Sequence, residues 1–331
     1  PRSTPKPSSA ASDVYKRQTP LWDKLVAVFL ATVAPKRLIE KACGAQGSIL
    51  ADDTVTVIFS SGSTGEPKGV MLSHANIDAN VEGVAQAGRV TRGDRLLGIL
   101  PLFHSFGYMA LWFSSNRDLG TVFHPNPLDA GQIGDIVERY RLSILIATPT
   151  FLQLYLRRCT PAQFGSLRMV LVGAEKLSER LALAFEEQFG IRPLEGYGTT
   201  ECAPAITVSM LDFRAPGFYQ PGSRRGTVGQ PLPGVAIHIV DPDSYEPLEH
   251  NNAGMVLVKG PNVMQGYLGR DELTSEVMRD GWYVTGDIGM LDEDGFLKIT
   301  DRLSRFSKIG GEMVPPVSYT HLRAHETDSY L

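Results

Sequence analysis

A chain of 331 residues that is 43% hydrophobic and 21% charged has the balance of a globular protein with room for more than one core, which excludes a disordered chain or one buried throughout in a membrane. Its formal net charge of −4 argues against a nucleic-acid surface. Three widely spaced cysteines, Cys43, Cys159 and Cys202, supply neither a disulfide framework nor a metal-ligand cluster and fit a reducing cytoplasm.

Residues 1–18 are rich in Ser, Pro and Ala without an apolar period, and residues 317–331 are equally patternless. Both are read as non-native tails. They resemble translated sequencing-adapter sequence, notably Ser8 to Gln18 and Val317 to Thr327, so the i, i+4 pair His321 and His325 carries no metal reading. Residues 19–50 read as an amphipathic helical linker, with Leu21, Leu25, Val28 and Phe29 before Pro35 and Leu38 and Ile39 after it. Lys24, Lys36, Arg37 and Lys41 make it cationic, a character that suits either packing against the rest of the protein or the surface of a membrane. The run from Leu25 to Ala34 is about half of the ~20 residues a spanning helix needs.

Next comes a β-branched run, Thr54 to Phe59, then Ser60-Ser61-Gly62-Ser63-Thr64-Gly65-Glu66-Pro67-Lys68-Gly69, then an apolar run, Val70 to Leu72. The spacing predicts a loop between two strands. Its three glycines permit close backbone approach, its hydroxyls and amides suit oxyanions, and Lys68 adds a point charge, so the loop is read as a polyphosphate cradle. A Walker A loop is excluded, because Lys68 is followed by Gly69 and Val70 and not by Ser or Thr.

Ile77, Val81 and Val84 mark a helix, and Leu96 to Leu100 a strand. The segment Pro101 to Ser115 holds five aromatics and His104 but no acidic residue. A site for an amino acid would want a carboxylate there to pair the substrate ammonium. Helices around Ile133 to Tyr140, Phe151 to Tyr155 and Leu181 to Phe189 then alternate with strands at Ile144 to Ala147, Leu167 to Val172 and Arg192 to Leu194. This predicts an α/β layer with a largely parallel sheet, whose ligands collect at the carboxyl ends of strands. Gly173-Ala174-Glu175 and Tyr197-Gly198-Thr199-Thr200-Glu201 are placed there, after their strands. Cys202 is read as a small packed residue. Beyond Pro221 short strands and turns predict a small antiparallel β subdomain, with separate strands at Trp282 to Val284 and Gly289 to Leu291 and a hairpin turn at Asp292 to Gly295.

Four segments in order, the Ser60 to Gly69 loop, Tyr197 to Glu201, Gly281 to Asp287 and Asp301 to Arg305, resemble the adenylate-forming (AMP-binding) superfamily, over roughly Asp52 to Pro315. Gly173 to Leu177, Glu195 to Pro204 and Phe306 to Val314 are similar to the bifunctional acyl-[acyl carrier protein] synthetase/2-acylglycerophosphoethanolamine acyltransferases and to long-chain acyl-CoA synthetases. The resemblance implies a large-domain fragment with an α/β AMP-binding subdomain at 51–222, a small β subdomain at 223–300 and a truncated hinge region at 301–316. The family's C-terminal lid, which carries a catalytic lysine, is expected to lie beyond it, so adenylation by this stretch alone is expected to be weak. Ser304 departs from the acidic or lysine hinge residue of the family.

By the same resemblance, Ser61, Gly62, Ser63, Thr64, Gly65 and Lys68 surround the phosphates. Tyr197 stacks on adenine opposite Gly173, Ala174 and Glu175, with Gly198 beside it. Thr200 contacts the α-phosphate, Glu201 holds Mg²⁺, and Asp287 and Arg302 bind the ribose. His104 faces the substrate carboxylate and Phe106 lines the acyl pocket, which makes Lys68, Thr200, Glu201 and His104 the implied catalytic set. The implied reaction joins a fatty acid to ATP as an acyl-adenylate and passes it to the phosphopantetheine thiol of acyl carrier protein or CoA. The expected setting is the cytoplasm, with peripheral attachment to the inner face of a membrane as an added expectation. Two rival readings stand beside it, a non-catalytic nucleotide-binding fragment and an adenylate-former for another carboxylic acid.

Overall fold

The computed structural model describes residues 21–35, 38–39, 41, 44, 47–61 and 67–302, with a strand pair at 307–309 and 312–314. Both predicted tails and most of the second helix predicted after Pro35 lie outside the described residues. The chain divides into two compact units, residues 1–50 and 51–331. In the first, helix α1 (Leu21–Val33) leaves Trp22, Leu25, Val28, Phe29 and Val33 exposed. No helix among the described residues is long and apolar enough to cross a membrane.

The second unit opens with an antiparallel hairpin, β1 (Thr54–Ser61) and β2 (Pro67–Ser73), in which Val70 and Leu72 are fully buried. The two expected strands are present, but they run into the predicted loop: Ser60 and Ser61 extend β1, and Pro67, Lys68 and Gly69 open β2. Ser73 ends β2 and caps helix α2 (His74–Ala87), exchanging hydrogen bonds with Asn76 in a reciprocal capping box. The chain then alternates: β3 (Arg95–Gly98), α3 (Ser105–Asn116), β4 (Gly120–Phe123), α4 (Ala130–Tyr140), β5 (Ile144–Ala147), α5 (Pro149–Arg158), β6 (Met169–Val172), α6 (Glu179–Phe189) and β7 (Pro193–Gly198). These five strands pair in parallel in the order β7-β6-β5-β3-β4.

Strands β5 and β6 are apolar at every position and buried on both faces, as a sheet covered by helices on each side requires. Successive side chains point to opposite faces. Leu96, Ile144 and Met169 join the core of α2 and α3, whereas Leu97, Leu145 and Val170 join that of α4, α5 and α6. Strand β7 extends four residues past the predicted end, so Tyr197 and Gly198 belong to the strand and not to a following loop. It pairs antiparallel with β8 (Ala205–Val208), which carries the short β11 (Gln230–Pro231) at its far edge, beyond a surface hairpin of β9 (Phe213–Ala215) and β10 (Phe218–Gln220). Residues 230–231 therefore return to the large sheet.

The antiparallel sheet runs β12 (Ala236–Val240), β13 (Gly254–Lys259), β16 (Trp282–Leu291) and β15 (Met278–Arg279), with β17 (Leu297–Arg302) also on β16. One ten-residue strand replaces the two predicted at Trp282 to Val284 and Gly289 to Leu291. Gly286, at φ +74°, lets it continue through an irregular register, so Asp287 lies inside a strand. The turn at Asp292 is a hairpin connection, tied by Asp292 Oδ1 accepting the amides of Asp294 and Phe296. Between these strands β14 (Gly266–Tyr267) crosses back to pair with β2, followed by helix α7 (Asp271–Val277).

At the amino-terminal edge of the parallel sheet, Asp94, Ser143 and Arg168 stand immediately before or beside β3, β5 and β6. The Arg168 guanidinium donates from Nε and Nη2 to the Asp94 carboxylate at 2.6 and 2.7 Å. Ser143 Oγ and the Thr91 amide donate to it at 2.8 and 2.9 Å. Burial pushes the Asp94 carboxyl up, but these donors and the guanidinium charge outweigh it and hold the carboxyl down at about 2.

Candidate active site

At the opposite edge, the carboxyl ends of β6 and β7, the β3–α3 connection, the middle of β16 and the end of β17 border a cavity of about 450 Å³. Gly173 follows β6, and a Cβ there would meet the Phe106 ring at 3.3 Å, so the glycine is what lets that aromatic pack against the strand end. Ala174 has φ +68°, a left-handed conformation that costs a non-glycine residue of order 1 kcal/mol or more. At Gly198 a Cβ would sit 1.9 Å from the Pro204 carbonyl oxygen, so no side chain fits at this crossing of β7 and the chain entering β8.

Tyr197 Oη donates to Asp287 Oδ2 at 2.6 Å, and Arg302 Nε lies 3.3 Å from Oδ1. The Asp287 amide donates to Thr285 Oγ1, which fixes the backbone beneath the carboxylate. Burial pushes the Asp287 carboxyl up, and the nearby Glu201 charge adds to that, against the Tyr197 hydroxyl and the Arg302 cation. The Tyr197 phenol is raised well above its ordinary value, first by burial and then by the Asp287 charge.

After β7 a single 3-10 turn, Thr200–Cys202, holds the next two polar groups. Thr200 Oγ1 and Ser105 Oγ lie 3.2 Å apart. Glu201 Oε1 accepts from Tyr267 Oη at 2.8 Å, and the Glu201 carbonyl accepts from the Met264 amide at 2.7 Å. The turn is anchored from outside: Asn80 Nδ2 on α2 and Asn262 Nδ2 both donate to the carbonyls of Cys202 and Ala205. Cys202 is fully buried, and that burial pushes its thiol up, which fits a packed residue and not a nucleophile. His104 caps α3, its Nδ1 accepting from the Phe106 amide at 3.3 Å.

The cavity thus brings together His104, Phe106, Gly173, Ala174, Tyr197, Gly198, Thr200, Glu201, Asp287 and Arg302, drawn from segments up to 198 positions apart. Two predicted residues lie off its wall. Glu175 turns toward α5, where its carboxylate accepts from the amide and hydroxyl of Thr150 at 3.3 and 2.6 Å. Lys68 places its ammonium 5.3 Å from the centroid of the Tyr267 ring. Gly62, Ser63, Thr64 and Gly65 lie outside the described residues, as does the side chain of Ser61.

Sequence reasoning missed Ser105 and Tyr267, whose partners are 95 and 66 positions away. It also missed the apolar wall formed by Val84, Met109, Leu171 and Val208. Val84 was legible as a helix-face residue, but nothing in its spacing distinguishes a cavity wall from a core.

Among the described residues no three His, Cys, Asp or Glu side chains gather to hold a metal. Glu201 offers one carboxylate, with one oxygen already engaged by Tyr267. That donor set fits Mg²⁺ held jointly by a carboxylate, water and substrate phosphates, and does not fit an all-protein cage.

A parallel sheet joined to a small antiparallel sheet, with this cleft at its strand ends, is the architecture of an adenylate-forming enzyme. The chain belongs to the AMP-binding enzyme family, whose model matches residues 10–268. It is 35% identical over 267 residues to a feruloyl-CoA synthase of an Amycolatopsis species, covering 80% of this chain and 52% of that one. It is 32% identical over 281 residues to a long-chain-fatty-acid–CoA ligase of Yersinia pestis, covering 81% and 47%. Among solved structures, ATP-bound MatB from Rhodopseudomonas palustris superposes with a TM-score of 0.73 at 30% identity, covering 90% and 61%. The o-succinylbenzoate coenzyme A synthetase MenE from Bacillus subtilis, in complex with ATP and magnesium, gives 0.71 at 31%, covering 81% and 54%. The chain spans about half the length of the curated relatives it matches.

Proposed function

We propose that the whole protein activates a fatty acid with ATP as an acyl-adenylate and transfers the acyl group to the thiol of CoA or of acyl carrier protein. One observation carries the reading. A single cavity is lined both by polar side chains, Tyr197, Thr200, Glu201, Asp287 and Arg302, and by apolar ones, Val84, Phe106, Met109 and Val208, with no acidic side chain in the Pro101 to Ser115 segment that borders it. The polar side chains suit a nucleotide and the apolar ones an uncharged acyl chain, since a buried substrate ammonium would be left unpaired.

In this reading the Asp287 carboxylate accepts the ribose 2′ and 3′ hydroxyls, with Arg302 holding the carboxylate ionised. Thr200, with Ser105 beside it, orients an α-phosphate oxygen by hydroxyl donation. His104, which lines the cavity, faces the substrate carboxylate, which attacks the α-phosphorus as pyrophosphate leaves. Glu201 would hold Mg²⁺, which would offset the charge of an anion attacking a polyanion. Lys68 adds a second positive charge from the strand that leaves the phosphate loop. A thiol then displaces AMP from the acyl carbon. The site belongs to a cytoplasmic enzyme on this proposal.

A second reading has its own support: feruloyl-CoA synthase and 4-coumarate–CoA ligases stand among the relatives at 32–35% identity, so a planar aromatic acid is the competing substrate. Calorimetry with non-hydrolysable acyl sulfamoyl adenosines separates the readings without requiring turnover. The palmitoyl compound is expected to bind at least tenfold more tightly than sulfamoyl adenosine itself. Tighter binding of the feruloyl compound would transfer the proposal to aromatic acids. Equal affinity for all three would leave only a nucleotide-binding module.

A further inference from the structure

We infer that Tyr267 is a positioning residue that holds Glu201 and Lys68 apart and aims both at the phosphates of a bound nucleotide, an assignment that rests on reading the cleft as a Mg²⁺–ATP site. The phenol meets the two charges at different places. Its hydroxyl donates to Glu201 Oε1 at 2.8 Å, and its ring face lies beneath the Lys68 ammonium at 5.3 Å from the centroid. A carboxylate and an ammonium around one side chain would otherwise be drawn into a direct ion pair. Such a pair would cancel the positive charge offered to the phosphates and occupy the carboxylate that a cation needs. With tyrosine between them, the ammonium is satisfied by the ring quadrupole and the carboxylate by a hydrogen bond that uses one oxygen and leaves the other.

The tyrosine is itself held in place. It is 3% exposed, its amide donates to Thr274 Oγ1 at 2.9 Å, and β14 pairs it with Val70 of β2, two positions after Lys68. From the same segment the Met264 amide holds the Glu201 carbonyl, while the Gln265 and Leu268 amides donate to the Met71 and Gly69 carbonyls. Residues 264–268 therefore tie the strand leaving the phosphate loop to the turn carrying Glu201. The two elements that carry the charges are thus joined through one strap, and Tyr267 on it sets their spacing.

The test is calorimetric binding of α,β-methylene-ATP with and without Mg²⁺, beside AMP binding in EDTA. For the wild-type chain Mg²⁺ should tighten binding of the ATP analogue. In Tyr267→Phe, which keeps the ring and frees the carboxylate, that tightening should fall by about tenfold or more, the range found when partners of metal ligands are removed. AMP affinity in EDTA should stay within about twofold, a split that a general loss of structure does not produce. Added to Glu201→Gln, the same change should cause no further loss, because it acts through the carboxylate. Undiminished Mg²⁺ tightening in Tyr267→Phe overturns the assignment, as does an equal loss in the Glu201→Gln background. A wild-type chain indifferent to Mg²⁺ would overturn the reading of the site itself and this assignment with it. If Tyr267→Phe does not fold, Glu201→Asp draws the carboxylate away from the hydroxyl and should lose the tightening to a similar extent. Full tightening in that variant also refutes the role.

Discussion

Each edge of the parallel sheet has a carboxylate beside an arginine, Asp94 buried before β3 and Asp287 half-buried on the neighbouring β16, and the two are built to opposite ends. At the amino-terminal edge Asp94 receives a two-point Arg168 contact, a serine hydroxyl and a backbone amide, and its carboxyl is held down at about 2. At the carboxyl-terminal edge Asp287 receives one tyrosine hydroxyl and an arginine nitrogen at 3.3 Å, and its carboxyl is pushed up. The first carboxylate is fully served and contributes to holding three strands in register. The second is half-buried against a cavity with hydrogen-bonding capacity to spare, which is the state a group keeps if its remaining partners are to come from a ligand.

The sharpest way to break this contrast is Asp287→Ala. Each hydrogen bond to a charged group contributes about 1.5–3 kcal/mol, so AMP affinity should fall by more than tenfold while the melting temperature stays within a few degrees. Equal AMP affinity in wild type and variant, measured by calorimetry, would remove Asp287 from the nucleotide site. Asp94→Ala should do the reverse. The drop from 3.8 to about 2 corresponds to about 2 kcal/mol of stability, so the melting temperature should fall by several degrees, and AMP affinity of the folded protein should not change. An unaltered melting temperature would show the amino-terminal cluster to be ornamental.

The smallest effect, and the most discriminating, is the pH response. Asp94 is depressed in the folded state, so its stabilisation is present above pH 3.8 and lost as pH falls from there toward about 2. Asp287 is raised, so its contribution runs the other way: folding is favoured while it is protonated, and that advantage is lost as pH rises through its folded value. Nucleotide binding on this account needs the ionised form. AMP affinity should therefore fall on acidification at a pH above the ordinary aspartate value, and Asp287→Asn should abolish that acid limb. An acid limb that persists in the asparagine variant would assign it to another group.

The fold was legible because periodicity reports burial, and here burial and architecture coincide: Ile144 to Ala147 and Met169 to Val172 are apolar throughout because helices cover both faces. Tyr197 stood out because its Gly- and Thr-containing phrase follows an apolar strand of the parallel sheet, and Asp287 because the Gly281 to Asp287 phrase resembles the family. What could not be read is who holds them. Tyr267 is an aromatic in a two-residue strand, and only the pairing of β14 with β2 brings its hydroxyl to Glu201. Ser105 is one serine among many until α3 sets it beside Thr200. The continuation of β16 through Gly286 was missed for a local reason, since Thr285-Gly286-Asp287 has the composition of a turn.

The collision at Gly198 has a consequence for anyone wishing to redirect this cleft by directed evolution. A side chain there would drive into the Pro204 carbonyl, and the backbone it would have to displace is fastened by two asparagines from distant parts of the chain. Phe103, 83% exposed, and Phe59, 66% exposed, line the same cavity with little packed behind them. A randomised library should hold position 198 constant and spend its diversity on 59 and 103, because one wall of this cleft is a hinge pin for the fold and the other is upholstery.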